Sequence, residues 1–335
     1  MARFFRASPT ESRLLLVLIA ICVFLSFASD SFFTLVNFTS LLNNSAINLI
    51  WAMGLLVVLI AGGIDISFAV AASVVQYVCV YAFDAIGGGN WAIGVVLAAG
   101  LGMGLGFINA TLIHVFRIIS IVVTIATFNA FFGLLMFLSS GRFLYNLPDW
   151  WTRRILIFEY QTADGTWAEL TLPVAVMFAA VLATWVLINR TTVGRQLYAF
   201  GDNPEGARRV GVNVAAMQFI AFGWMGAMAG IGGLMQANIV QEVVPNALIG
   251  RELDVLAAVV LGGARLGGGR GSVLGCFLGV LLVAITQNGL NLLGVSPFAF
   301  KMVVGGIILV AISMSNLDFG TRARHRPGDD REETA

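Results

Sequence analysis

Along this chain, long apolar runs alternate with short connections that hold most of the charge. The runs fall near 14–29, 45–61, 65–83, 91–114, 118–139, 171–189, 215–237, 253–262, 271–293 and 299–315. A helix rises about 1.5 Å per residue, so about 20 apolar residues cross a hydrocarbon core roughly 30 Å thick. Most of the runs approach that length and are predicted to be membrane spans. The eighth is short, which makes the expected number nine or ten. The fold class that follows is all-α: a polytopic membrane protein of about ten transmembrane helices, forming a single transmembrane domain over residues 1–335.

Composition sharpens this reading. Of 335 residues, 59% are hydrophobic and 11% charged, against roughly 25% charged in an average soluble domain, and the mean hydropathy is +0.90. A soluble fold is excluded. Orientation follows from the basic residues, because cytoplasmic connections retain Lys and Arg. With the N-terminus inside, the inner segments hold Arg3, Arg6, Arg13, Arg117, Arg190, Arg195, Arg208, Arg209, Arg265, Arg270, Arg322, Arg324, Arg326 and Arg331, most of the 19 basic residues. The outer connections hold Arg142, Arg153, Arg154 and Arg251 beside eight carboxylates. Both termini, as tails 1–13 and 317–335, and the 190–214 connection are therefore expected in the cytoplasm. Cys22, Cys79 and Cys276 all lie in apolar runs, where free Cys behaves as a small hydrophobe, and they imply no disulfide framework.

Two connections are longer than a turn, one outside at 140–170 and one inside at 190–214. Neither is long enough to be a domain. The outer one carries Trp150, Trp151, Tyr160 and Trp167, which read as interfacial belt residues or as contacts for an external partner. Within the spans, Gly102 with Gly106, Gly226 with Gly230 and Gly275 with Gly279 form small-xxx-small pairs that let helices approach closely. The run Gly100, Gly102, Gly104, Gly106 is no nucleotide loop, since it lies in an apolar span with no strand before it.

The chemistry of an energy source is missing. A P-loop needs a lysine to reach the phosphates, and the one lysine of this chain, Lys301, follows Phe298 and Phe300. The Gly262–Ser272 segment is therefore not a Walker A loop, and any ATP must be hydrolysed by another chain. A secondary transporter would hold ionisable groups deep in its spans, whereas Asp65, His114, Asp254 and Lys301 lie near span ends. No nucleophile with a base, no metal-ligand cluster and no cofactor motif is present, and nothing points to nucleic acid.

The inner connection contains a short helix with its own punctuation. Asn203 suits the N-cap, Pro204 the first helical position and Glu205 the positive end of the dipole. Arg208 and Arg209 suit the last turn, and Gly211 the left-handed position beyond it. A small rigid knob of this kind suits docking into a partner's groove. Here the sequence resembles the permease subunits of ribose and monosaccharide ABC importers, whose inner loop has the form G-R-x-L-Y-A-x-G-x-N-x-x-A-A-R-x-x-G. Gly194, Arg195, Leu197, Tyr198, Ala199, Gly201, Asn203, Ala207, Arg208 and Gly211 match, while Gly206 replaces the first alanine of the pair.

Other blocks follow in the same order. Gly62-Gly63-Ile64-Asp65-Ile66-Ser67 resembles the family's GGIDLS. The run from Glu252 to Gly263 and Gly268-Gly269-Arg270-Gly271-Ser272 resemble its strongest block, and Asn288-Gly289-Leu290-Asn291 follows as expected. One departure is Ile119-Ser120, where the family commonly has Pro-Pro, so the start of that span is expected to be less kinked. Asp65 reads as a turn residue capping the third span or as a gating residue, and Asp254 as a cap of the eighth. Gln287, Asn288 and Asn291 share a helical face and either pair helices or line a polar path. The resemblance implies a type II ABC importer fold that works in the lipid bilayer as two permease subunits. It further implies two cytoplasmic ATPases, a periplasmic substrate-binding protein, and an inner loop that couples ATPase closure to the spans. Its substrate would be a sugar or related small polar molecule. The rivals are a stand-alone secondary transporter and a membrane scaffold.

Overall fold

The computed structural model describes residues 9–296, 299–303 and 305–306. Its helices are α1 (Pro9–Ala28), α2 (Leu35–Ile60), α3 (Phe68–Ala85), α4 (Trp91–Phe116), α5 (Ser120–Ser139), α6 (Asp149–Thr152), α7 (Leu172–Arg190), α8 (Thr192–Asp202), α9 (Pro204–Arg209), α10 (Val214–Val240), α11 (Arg251–Leu261) and α12 (Val273–Leu292). Eight of them are long and apolar enough to cross a membrane: α1 to α5, α7, α10 and α12. The expected span at 253–262 is α11, whose 11 residues reach only about 16 Å. Most of the expected run 299–315 and of the two tails lies outside the described residues.

The helix starts are written in the sequence. Thr34, Asn90, Asn213 and Ser272 each accept a hydrogen bond from the backbone N–H three residues on, capping α2, α4, α10 and α12, because the first turn has no carbonyl partners of its own. Helix α2 is the core element, and every residue from 49 to 60 is buried. Trp51 packs against Phe68 with ring centroids 5.8 Å apart and donates its indole N–H to Ala229 O at 3.4 Å, joining α2 to α3 and α10.

The glycine pairs act as predicted. A methyl group added to Gly102 or Gly106 would overlap the carbonyls of Gly226 and Phe222, and one added to Gly226 or Gly230 would overlap those of Gly102 and Ala98. Helices α4 and α10 therefore meet backbone to backbone. Gly275 and Gly279 bring α12 against Gly262 and Ala258 of α11 in the same way.

The helical bundle carries one short β addition. At the opposite end of the bundle from α8 and α9, β1 (Leu156–Gln161) and β2 (Trp167–Thr171) form an antiparallel hairpin with a bulge between Leu156 and Phe158. Aromatic residues and the turn residues Asp164-Gly165 favour such a hairpin. Apolar runs of membrane length give no sign of it, because its strands are short and β1 is exposed throughout. Trp151 is likewise no belt residue. It is fully buried and donates its indole N–H to Leu234 O at 2.8 Å, while Asn43 accepts from the Thr171 hydroxyl at 2.6 Å and donates to Glu169 O at 2.7 Å. These bonds fasten α6 to α10 and the hairpin to α2.

Candidate functional site

The connection between α7 and α10 holds two helices where the sequence predicts one. Thr191 accepts from Gly194 N at 3.2 Å and starts α8. Gly194, Leu197, Phe200 and Gly201 form its buried face, with the i, i+3, i+7 spacing that could have disclosed the helix. Gly194 is held so close to α7 that a methyl group there would overlap Ile188 O, whereas Arg195 stays exposed.

Asn203 ends α8 and begins α9. Its side chain accepts from Gly206 N at 2.9 Å, Pro204 takes the first position, and Glu205 pairs with Arg209 at 2.8 Å. Val210 is the C-cap and Gly211 follows with φ +88°, a conformation that costs glycine little. The Gly211 and Val212 N–H groups donate to Arg208 O and Ala207 O at 3.1 and 3.0 Å, closing the helix end. Ala207 is buried, while Pro204, Glu205, Arg208 and Arg209 are exposed and Val210 is 79% exposed. The result is a knob anchored by one alanine that presents charges and one bare aliphatic side chain.

The base of the knob touches two other motifs. A methyl group on Gly201 would overlap Ile60 O and stand 2.7 Å from Gly269 N. Gly269 N donates to Ile60 O at 2.9 Å, and the Tyr198 hydroxyl donates to Gly271 O at 2.6 Å. Burial, and after it the Glu11 charge, pushes the Tyr198 phenol up from its ordinary value, which keeps it a neutral donor. Neither contact was legible in the sequence, since nothing in spacing shows that residues 62, 201 and 269 meet.

Asp65 is buried and accepts from Ser67 N at 2.8 Å and Ser67 Oγ at 2.7 Å; Ser67 Oγ accepts in turn from Asn109 at 2.8 Å. It braces the turn ahead of α3. The preceding residue is clamped by α5: Ile64 N donates to Ser120 Oγ at 3.0 Å and Ile64 O accepts from Thr124 Oγ1 at 3.2 Å. The serine that departs from the family pattern thus serves as an acceptor that proline lacks. Asp254 is corrected as a cap. Among the described residues no side chain caps α11: Glu252 reaches back to Gly250 N at 2.9 Å, just ahead of the helix, while Asp254 lies within the helix beside the charges of Arg251 and Lys301.

The three amides on α12 separate. Asn288 makes a two-way clasp with Asn37 of α2, at 3.1 and 2.8 Å. Gln287 is half-buried and Asn291 exposed, and the side-chain amide of neither has a hydrogen-bond partner among the described residues. The clasp pairs helices, and Gln287 and Asn291 are left facing elsewhere. Among the described residues no group of three or more His, Cys, Asp or Glu is placed to hold a metal.

The arrangement is a helical bundle with a capped knob at one end. Residues 37–312 match the family described as the branched-chain amino acid transport system permease component. The chain belongs to this permease family. The permease is 30% identical over 321 residues to the Ribose import permease protein RbsC of Escherichia coli K12, covering 93% of this chain and 96% of the relative. Its identity to RbsC of Bacillus subtilis is 32% over 295 residues, 88% and 89% of the two chains. To the Autoinducer 2 import system permease protein LsrC of Photorhabdus luminescens it is 31% over 305 residues, 90% and 89%. No solved structure matches the permease. It is a multi-pass membrane permease of an ABC importer and not an enzyme, with ATP hydrolysis residing on a separate subunit.

Proposed function

We propose that this permease forms the passage of an importer for a sugar or a closely related polyhydroxyl molecule. The α8–α9 connection docks the ATPase on the cytoplasmic side, and a second permease subunit completes the passage. Both termini face the cytoplasm, and the hairpin end faces the substrate-binding protein. The observation that carries the reading is the knob: a capped helix whose exposed Glu205, Arg208, Arg209 and Val210 have no use in holding their own chain together beyond one exposed ion pair. Surface pairs of that kind contribute little stability, so the knob's charges are free to serve recognition. Asn203, Pro204, Ala207 and Gly211 build the knob, Gly194 and Gly201 pack α8 behind it against α7 and the end of α2, and Arg195 adds an exposed charge on α8.

The sugar class rests on the relatives named for ribose import, which span nearly the whole chain. The family description names branched-chain amino acids instead, and one experiment decides between the two. The complete importer is reconstituted in vesicles, and uptake of labelled ribose is challenged with fructose, ribitol and leucine. Competition by sugars and polyols is expected. Competition by leucine alone overturns the sugar assignment. In the same system Arg208→Glu should abolish co-purification of the ATPase while the permease still inserts, and unchanged association would remove the docking role from α9.

A further inference from the structure

Where the knob meets the bundle, three segments far apart in sequence touch through backbone alone. Gly201 of α8 sits against Ile60 O at the end of α2. Gly268 lies so close to both that a methyl group there would stand 2.5 Å from Gly201 O and 2.7 Å from the Gly62 Cα. A methyl group on Gly269 would stand 2.8 Å from the Asp202 Cα, and Gly269 N donates to Ile60 O at 2.9 Å. One turn earlier on α8, the Tyr198 hydroxyl donates to Gly271 O at 2.6 Å. The next residue, Ser272, caps α12 and hydrogen-bonds Glu11 of α1.

We infer that Gly201 and Tyr198 are positioning residues through which displacement of the α8–α9 knob passes into the ends of α2, α11, α12 and α1, rather than residues that only shape the knob. This inference rests on the docking role proposed above. The physical basis is the kind of contact. Side chains absorb a small displacement by turning to another rotamer, but a carbonyl pressed on a Cα has no torsion to give. Close-packed interiors transmit strain for this reason, and here the packing is backbone on backbone at Gly62, Gly201, Gly268 and Gly269. Helix α8 therefore carries α2 and the 262–272 loop with it. That loop joins α11 to α12, while α12 is clasped to α2 at the other end by Asn37 and Asn288. A push on the knob thus acts on a closed frame of helices. The exposed tip, from Pro204 to Val210, sets who pushes.

The test separates association from coupling in the reconstituted importer by measuring ATPase co-purification, ATP hydrolysis and substrate moved per ATP hydrolysed. Tyr198→Phe removes one hydrogen bond and leaves the aromatic packing. Gly201→Ala forces the joint apart. Both should keep the ATPase bound and hydrolysing, while substrate moved per ATP falls by about five-fold or more, the low end of ordinary coupling free energies. A ratio equal to the unmodified importer's overturns the inference, whether both activities fall together or neither changes. Loss of ATPase binding in step with transport also overturns it, since these residues would then only hold the knob's shape. If Gly201→Ala fails to insert, Tyr198→Phe decides. Arg208→Glu is measured alongside: should it retain the ATPase, the docking role itself fails, a result distinguishable from an unchanged ratio with docking intact.

Discussion

Ser120 shows how one side chain fixes a turn. Its hydroxyl takes the Ile64 N–H at 3.0 Å and, one helical turn on, Thr124 serves Ile64 O at 3.2 Å. The chain between α2 and α3 leaves helical geometry at Gly62 and does not resume it until Phe68, so these backbone groups lack helical partners and must be paired some other way. Ser120→Ala should lower stability by about 1–3 kcal/mol, the usual range for stranding a buried donor. Thermal unfolding in detergent checks it, and an unshifted midpoint would show that water serves Ile64 as well as serine does. The sequence disclosed Ser120 only as a departure from a pattern. Its function was hidden because a hydroxyl's partner 56 residues away leaves no mark in local spacing. Asp65 was more legible, since a carboxylate two residues before a serine at a helix start is a turn signal in itself, and Asn203 more so still, because a cap and its helix are neighbours in sequence.

At the scale of elements, length and hydropathy located the long helices well, and the glycine pairs announced which faces would meet. They could not say that Gly102 meets Gly226 rather than another glycine. Both features that were missed, α8 and the hairpin, are too short and too polar for a membrane-length search to register. The seam between α4 and α10 makes a clear prediction. Gly226→Leu places a side chain where Gly102 O already stands and should abolish accumulation of folded permease, because a core this tightly packed cannot make room. Gly100→Leu on α4, where nothing lies within 4 Å, should leave expression and thermal stability unchanged. Size-exclusion profiles of the two variants distinguish the outcomes, and equal behaviour would refute the seam.

For the whole molecule, the distribution of arginine predicts how the permease sits, and the single lysine bears on what drives it. Reporter tags at the N-terminus, in the 190–214 connection and at the C-terminus should read from the cytoplasm, and one at 155–168 from outside. A cytoplasmic signal from the hairpin would invert the assembly. Purified permease alone should neither hydrolyse ATP nor take up sugar along an imposed proton or sodium gradient, since it has no P-loop lysine and its ionisable groups lie near span ends. Gradient-driven uptake would restore the secondary-transporter alternative.

The carbonyl-to-glycine seam has a mechanical meaning. Turning α4 about its own axis by the roughly 100° that separates neighbouring residues would bring Leu101 or Met103 to the point where Gly102 now faces Gly226, and neither side chain fits a gap that admits only hydrogen. The two helices are thus keyed like a dovetail joint that resists turning, and an opening of the molecule that preserves this contact carries them together as one strut.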